Sequence, residues 1–306
     1  MKENKPLWIW RRFVEFRIRQ CTDGYEATLC QTLCGVETNI DLQDLQPSGN
    51  SARKRVETIL TASVFKAILN LQEDTELKGA LRTAIANFTM AQQLVFDSIA
   101  RRKNDVDVYK YEIEAMRRSY MENYYNAIDT LIALLSTDTE GEPARIWKDT
   151  PYNSTLQKCK IRSAEVFDTI FPIDLSYFFF FRLVPLQKET LDEQLAVYFD
   201  KITEENASRI EQPLYLALAK KTIAKSLRRF DILEFPPTIR NLFDDSHASR
   251  SGKDELVAAL SLADRLDREA EQLLLNVDTL LSTDTTADVS SYSAYNNPDD
   301  KIIMLP

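Results

Sequence analysis

Four cysteines, one histidine and a few adjacent carboxylates are the residues of this 306-residue chain whose types could do chemistry. Cys30 and Cys34 lie four apart, but a tetrahedral zinc site needs more ligands than Cys21, Cys30 and Cys34 offer. The remaining candidates, Cys159 and His247, are far along the chain, and without an export signal the thiols read as reduced, in a cytoplasmic setting. Asp245, Ser246 and His247 are the residue types of a hydrolytic triad, yet chain neighbours in a loop say nothing about the spatial arrangement a triad needs. Glu112 with Glu114, and Asp192 with Glu193, have the chemistry of a glycosidase pair and equally the pattern of any charged helix face. Paired Glu-x-x-His motifs and phosphate-cradling Gly loops do not occur, and the whole chain holds only six Gly. The expectation is a non-enzymatic protein without catalytic, metal-binding or cofactor-binding residues.

The elements that would position any site are helical. Ala, Leu, Glu, Lys, Arg and Gln fill long periodic stretches, and six Gly leave little material for tight β turns. Leu134-Leu135-Ser136-Thr137-Asp138-Thr139 recurs unchanged as Leu280-Leu281-Ser282-Thr283-Asp284-Thr285, closing a long periodic stretch each time. Sliding one stretch onto the other places Ile113, Met116, Tyr120, Tyr124, Ala127, Leu131 and Leu134 over Ala259, Leu262, Leu266, Ala270, Leu273, Val277 and Leu280. Spacings of three and four put each set on one helix face, against a core. Upstream, Leu81–Ala86 corresponds to Ala219–Ala224 at an offset shorter by eight residues, so the connection inside the second copy is longer. Phe235-Pro236-Pro237 and the polar run Asp244–Gly252 supply it, against only Arg101–Asp105 in the first. The reading is all-α: two related antiparallel helical repeats packed together, with extended N- and C-terminal arms. Residues 1–52 form a basic, aromatic arm and a small irregular segment, 53–150 the first repeat, 151–282 the second and 283–306 an extended tail. The hexapeptide reads as punctuation that ends each helix, since Ser, Thr and Asp bond readily to nearby backbone.

Three segments outside this pattern carry the candidate binding residues. Ile170–Leu186 is the most apolar run, but it holds Asp174 and Arg182 and is broken by Pro172 and Pro185, so it falls short of the roughly 20 apolar residues a membrane span requires. Ser176 is placed to cap a helix that bends or restarts near Pro185 and continues through Leu191, Leu195 and Tyr198. Phe178 to Phe181 cannot all face one side of it, so Phe178 and Phe181 are candidates for a second surface, in the chain's own core or on a neighbouring subunit. The first twenty residues carry six basic and two acidic side chains, on a chain of net charge −9. Trp8, Trp10, Arg12, Val14, Phe16 and Ile18 alternate with Ile9, Arg11, Phe13, Glu15 and Arg17 there, a period of two that suits an extended arm or strand. Trp8, Trp10, Arg11, Arg12 and Phe13 could dock onto an acidic protein neighbour, which ranks first, pack locally, or touch nucleic acid or lipid. At the other end a polar stretch leads to Ile302, Ile303, Met304 and Leu305, a compact apolar plug that makes sense if it docks on this subunit or another.

A resemblance joins these observations. The Tyr-rich stretch Tyr109-Lys110-Tyr111 through Tyr124-Tyr125-Asn126-Ala127, the Trp147-Lys148-Asp149-Thr150 loop and the Ser176–Leu186 helix resemble a family of helical proteins encoded near capsid and tail genes in tailed phages and prophages. The closing Tyr295-Asn296-Asn297-Pro298-Asp299-Asp300-Lys301-Ile302-Ile303 is similar to that family's ending, so the resemblance covers Arg53 to Pro306. It rests on pattern and order. It implies a structural neck, adaptor or completion protein, located in a virion or a cytoplasmic assembly, whose partners are copies of itself and neighbouring assembly proteins; Tyr295 joins the candidate contacts. The alternatives are a component of a related contractile injection machine, or a helical protein binding nucleic acid or a small ligand.

Overall fold

The computed structural model describes residues 42–72, 75–103, 110–242 and 252–286. Every regular element among them is helical and no strand occurs there, in keeping with the periodicity and the few Gly. In order they are α1 (Leu42–Leu60), α2 (Ala62–Leu69), α3 (Glu76–Lys103), α4 (Lys110–Thr137), α5 (Glu142–Lys148), α6 (Pro151–Leu156), α7 (Ala164–Ile170) and α8 (Tyr177–Thr190). A π-helical turn (Leu191–Leu195), α9 (Ala196–Phe199), α10 (Ala207–Arg229), a 3-10 turn (Ile232–Glu234), α11 (Pro237–Arg240) and α12 (Gly252–Thr286) follow. Helix α1 begins inside the segment expected to be irregular. The chain forms two compact units, one from residues 42–188 and 229–242, the other from 189–228 and 252–286. Residues 151–188, expected with the second repeat, therefore pack with the first.

In the first unit α3 and α4, joined by residues 104–109, pack side by side, and Phe88 meets Tyr124 at a ring separation of 5.0 Å. So short a connection between long contacting helices makes them antiparallel. Ala52, Val56 and Leu60 of α1, Val64, Phe65 and Ile68 of α2 and Leu81, Ala84 and Phe88 of α3 close on Tyr124, Ile128, Leu131, Ile132 and Leu135 of α4. All recur at three- and four-residue intervals, the geometry of one buried helix face. Of the stripe expected on α4, Tyr124, Ala127 and Leu131 are buried, Ile113, Tyr120 and Leu134 half-buried, and Met116 is exposed. The core continues instead through Ile128, Ile132 and Leu135, one position further round.

In the second unit α10 and α12 are also antiparallel. Arg228 reaches Asp264 (2.8 Å) and Asp267 (2.7 Å), while Lys220 and Lys221 reach Glu269 (2.6 Å) and Glu271 (3.7 Å). The expected stripe holds well here, with Ala259, Leu262, Leu266, Ala270 and Val277 buried and Leu273 and Leu280 half-buried. The two copies of the hexapeptide differ, however. The first ends α4 at Thr137, where Asp138 Oδ1 accepts the N–H groups of Glu140 (2.9 Å) and Gly141 (3.1 Å) and Pro143 follows. The second lies within α12, which runs to Thr286, so it ends no helix. Gly and Pro follow the first copy at once, whereas neither occurs soon after the second, so only the first meets residues that stop a helix.

Helix α8 completes the first unit. Ser176 caps it as expected, its Oγ accepting the Phe179 N–H at 3.1 Å. Pro185 lies inside α8 without ending it, and the irregularity falls later, in the π-helical turn. There Leu191 and Leu195 both point inward while Asp192, Glu193 and Gln194 stay exposed. Ahead of α8 the chain reverses through Asp174 (φ 56°) and Leu175 (φ 51°), both left-handed although neither is Gly. The strained turn is held from two sides: Asp168 Oδ1 accepts the N–H groups of Ile173 (2.8 Å) and Leu175 (3.1 Å), and Asp174 Oδ2 accepts the Thr238 N–H (2.8 Å). Leu175 is exposed, so relief of its backbone should outweigh the loss of its side chain. Leu175→Gly is expected to raise unfolding stability by up to about 1 kcal/mol, the strain of the left-handed region less the extra entropy of Gly. Urea unfolding checks this, and a loss of stability would show that the turn is unstrained.

Candidate functional site

The most chemically varied region of the first unit is the seam where α8 meets α4. Asp129, on α4, accepts the Ser176 hydroxyl at 2.6 Å and the Phe178 N–H at 2.9 Å through one oxygen, Oδ1. A carboxylate at a helix start also meets the positive end of the helix dipole. Four rings then leave α8 in four directions. Phe178 stacks on Tyr125 at 5.3 Å; Phe179 meets Phe230 (6.4 Å) and Phe235 (5.4 Å). Phe180 meets Phe167 edge-on at 5.9 Å, and Phe181 packs on Tyr152 (4.4 Å) and Trp147 (5.7 Å). Phe178, expected as a candidate partner contact, is instead core, and half-buried Phe181 is engaged inside the same unit. The reason is steric: successive residues point about 100° apart around a helix, and α4 to α7 with the segment 230–235 surround α8 with surfaces for each ring.

Charged groups line the same seam without forming a catalytic set. Arg182 lies over the Phe230 ring at 4.6 Å while its Nε donates to Glu234 at 2.8 Å, and Arg240 pairs with Glu122 at 3.1 Å. Arg55 lies over Phe88 at 5.2 Å. Burial raises the Tyr124 phenol pKa, and it pushes Tyr125 up to about 12. Both phenols are therefore neutral near pH 7, so neither supplies a phenolate nucleophile. The Tyr124 hydroxyl is buried close to Arg55 but meets no partner in hydrogen-bond geometry. Burial also raises the Asp129 pKa, against the opposing pull of the Ser176 hydroxyl and the Phe178 and Tyr177 N–H groups.

The other residues with potential chemistry are dispersed. Cys159 is buried, its thiol donating to the carbonyls of Thr155 (3.5 Å) and Val184 (3.6 Å). Glu193 pairs with Lys225 at 2.6 Å, and Glu189 holds the same ammonium at 2.8 Å. No three His, Cys, Asp or Glu side chains gather as a metal-ligand set among the described residues, and no helix there is long and apolar enough to cross a membrane. Trp8, Trp10, Arg11, Arg12, Phe13, Tyr295, Ile302, Ile303, Met304 and Leu305 lie outside the described residues, as do Cys21, Cys30, Cys34 and His247.

What the sequence reading missed is an apolar face on α12. Leu256, Val257 and Leu260 are 54%, 66% and 38% exposed and lie within about 100° of one another around the helix, Leu256 at the border of the buried Ala259 and Ala263 and Val257 furthest from it. Single exposed aliphatics are ordinary, but three on adjoining turns form a patch. Val257 and Leu260 lie off the buried register of α12, whereas Leu256, three residues before Ala259, continues it. Phe96 and Met116 are likewise exposed toward the connected ends of α3 and α4.

Two substitutions probe the seam. Asp129 has a folded pKa above its ordinary value, so its contribution to stability is complete below about pH 4 and is lost as pH rises through the folded value. Asp129→Asn keeps an oxygen for Ser176 and Phe178 but has no proton to lose. It should gain stability relative to the native chain between pH 3 and pH 7, read by urea unfolding at both; a relative loss would contradict the burial argument. Tyr124→Phe removes a hydroxyl without a well-placed partner and should leave stability within about 1 kcal/mol of native or above it. A larger loss in the same titration would reveal a bond to that hydroxyl.

Comparison with protein-family models, with curated proteins and with solved structures finds no match, so no relative supplies residue roles for this chain.

Proposed function

We propose that this chain is a non-enzymatic structural and assembly protein of a phage or phage-like particle, working as a head-to-tail connector, neck or tail-completion component in a ring of copies. The observation that carries the assembly reading is the exposure of three aliphatic side chains, Leu256, Val257 and Leu260, near the start of a helix whose Ala259, Leu262, Ala263 and Leu266 are buried. An aliphatic face of this kind favours a protein contact over a solvated surface. The side-chain chemistry of the seam agrees: its carboxylates, hydroxyls and guanidinium groups bond to one another and to backbone, an arrangement that positions helices. Direction toward a phage particle comes from the resemblance carried by the Tyr-rich α4, the Trp147 loop and the Ser176–Leu186 segment.

Ring subunits meet through heterologous surfaces whose rotation closes, so a subunit needs two different contact regions. In this proposal the α12 face is one. The segments holding Trp8, Trp10 and Phe13, and Ile302 to Leu305, supply others; the partners are further copies and neighbouring assembly proteins. Arg11 and Arg12 are the first groups to examine for a secondary contact with nucleic acid, whose affinity would fall steeply with salt.

Size-exclusion chromatography with light scattering, together with electron micrographs of the full chain, tests the proposal. The expected outcome is a discrete oligomer that grows with protein concentration, weakened when Trp8, Trp10 and Phe13 are replaced by Ser. A monomer at every concentration sinks the reading.

A further inference from the structure

We propose that the loop between α6 and α7 is a contact for the phosphate backbone of double-stranded nucleic acid, made through Lys158, Lys160 and Arg162. These three cations are exposed and alternate with Cys159 and Ile161, which are buried. The alternation turns three charges outward from five residues of chain. No Asp or Glu occurs from Thr150 to Ala164, on a chain of net charge −9. The nearest carboxylates along the sequence are Asp149 and Glu165, and Glu165 is engaged by the Tyr177 hydroxyl. The inference stands apart from the assembly reading and concerns a different place from Arg11 and Arg12.

What separates this loop from an ordinary charged surface is how it is held. Gln187 of α8 is fully buried, and its amide grips one residue of the loop twice: Oε1 accepts the Ile161 N–H at 2.8 Å and Nε2 donates to the Ile161 carbonyl at 3.0 Å. The Cys159 thiol reaches the Val184 carbonyl at 3.6 Å, and Arg162 Nε donates to the Cys159 carbonyl at 3.1 Å. That last bond uses one of the five guanidinium N–H groups. The backbone between the cations is thus fixed in advance, so binding has to order side chains but no main chain, which lowers its entropic cost. The partner follows from what the loop presents. With Cys159 and Ile161 turned inward, residues 158–162 offer cations to the outside and no apolar side chain. Protein interfaces are built on an apolar core and are depleted in Lys, whereas nucleic-acid interfaces are polar and strongly positive. A duplex carries one negative charge per about 1.7 Å of axis, a density suited to closely spaced cations. Screening confines the opposing field of the acidic remainder to about 10 Å at 0.1 M salt. The loop holds no aromatic ring to stack on a base, so the contact is with phosphates and carries no sequence preference.

Fluorescence anisotropy of labelled DNA duplexes, titrated with the full-length chain at several salt concentrations, provides the test. The variant carries Lys158→Gln and Lys160→Gln, which leaves the Arg162 bond to Cys159 in place, and circular dichroism checks that its helix content is native. Each phosphate neutralised adds about −0.9 to the slope of log affinity against log salt, so the variant's slope is expected to be shallower by about 1.8. Between 50 and 200 mM salt the native chain's affinity should then fall about 12-fold further than the variant's. Two duplexes of unrelated sequence should behave alike, and the oligomeric state of the variant in light scattering should match the native chain. A native chain that does not bind the duplexes overturns the proposal. So does a variant with the native slope, the more so if Arg11→Gln with Arg12→Gln abolishes binding, since the contact then lies elsewhere. If labelled poly-glutamate binds more tightly than the duplexes at equal salt and the variant loses it, the loop is a surface for acidic protein and nucleic acid is excluded. If the variant loses the native chain's oligomer, the loop is a contact between copies and the proposal falls while the assembly reading stands.

Discussion

The carboxylate of Asp129 fixes the start of the Phe-rich helix, and the first unit's packing follows from that placement. Its Oδ1 receives both the Ser176 hydroxyl and the Phe178 N–H, while Ser176 Oγ in turn receives the Phe179 N–H. Two of the N–H groups that every helix start leaves without an internal acceptor are thereby bound, one of them to a different helix. Because α8 cannot rotate without breaking these bonds, the directions of its four Phe rings are set at its first turn. The energetic weight then lies with the rings, each burying a large apolar area, and the bonds determine which ring meets which surface. Asp168 and Asp174 extend the same constraint backward, holding the left-handed turn that delivers the chain to Ser176.

The two units show different balances of the same forces. In the first, aromatic packing dominates, and the cations near it lie on rings: Arg55 on Phe88, Arg182 on Phe230. In the second, α10 and α12 pair through small and aliphatic residues with a row of Lys and Arg to Glu and Asp contacts beside them. Exposed pairs of this kind contribute up to about 1 kcal/mol each, so they select the antiparallel register more than they hold the helices together. Lys225, shared by Glu189 and Glu193, ties the π-helical turn and the end of α8 to α10 in the same manner.

Identical hexapeptides with different outcomes show how far local sequence reaches. Leu134 to Thr139 ends a helix because Asp138 finds the N–H groups of Glu140 and Gly141 and because Pro143 opens the next helix. Leu280 to Thr285 has no such neighbours and stays helical. Ser282 there donates to the Asp278 carbonyl, bonding back to its own helix without stopping it. The candidate contact surface was legible to a similar degree. Val257 and Leu260 stand out once the buried register of α12 is known, whereas the Phe cluster left the chain's own core and a partner surface both open, and Phe178, Phe179 and Phe180 are interior.

Sequence alone determined the helical class, the two long helical pairs and the cap at Ser176, because propensity, apolar spacing and capping operate within a turn or two of chain. It also bounded the chemistry through its residue inventory, one His and six Gly among them. Tertiary structure decided the rest. The bond between Asp129 and Ser176 joins residues 47 apart, and that between Asp174 and Thr238 joins residues 64 apart. No local pattern encodes those distances. They arise when the chain closes on itself and apolar surfaces find mutual cover, so residues 151–188 joined the first helical pair and the Phe rings turned inward.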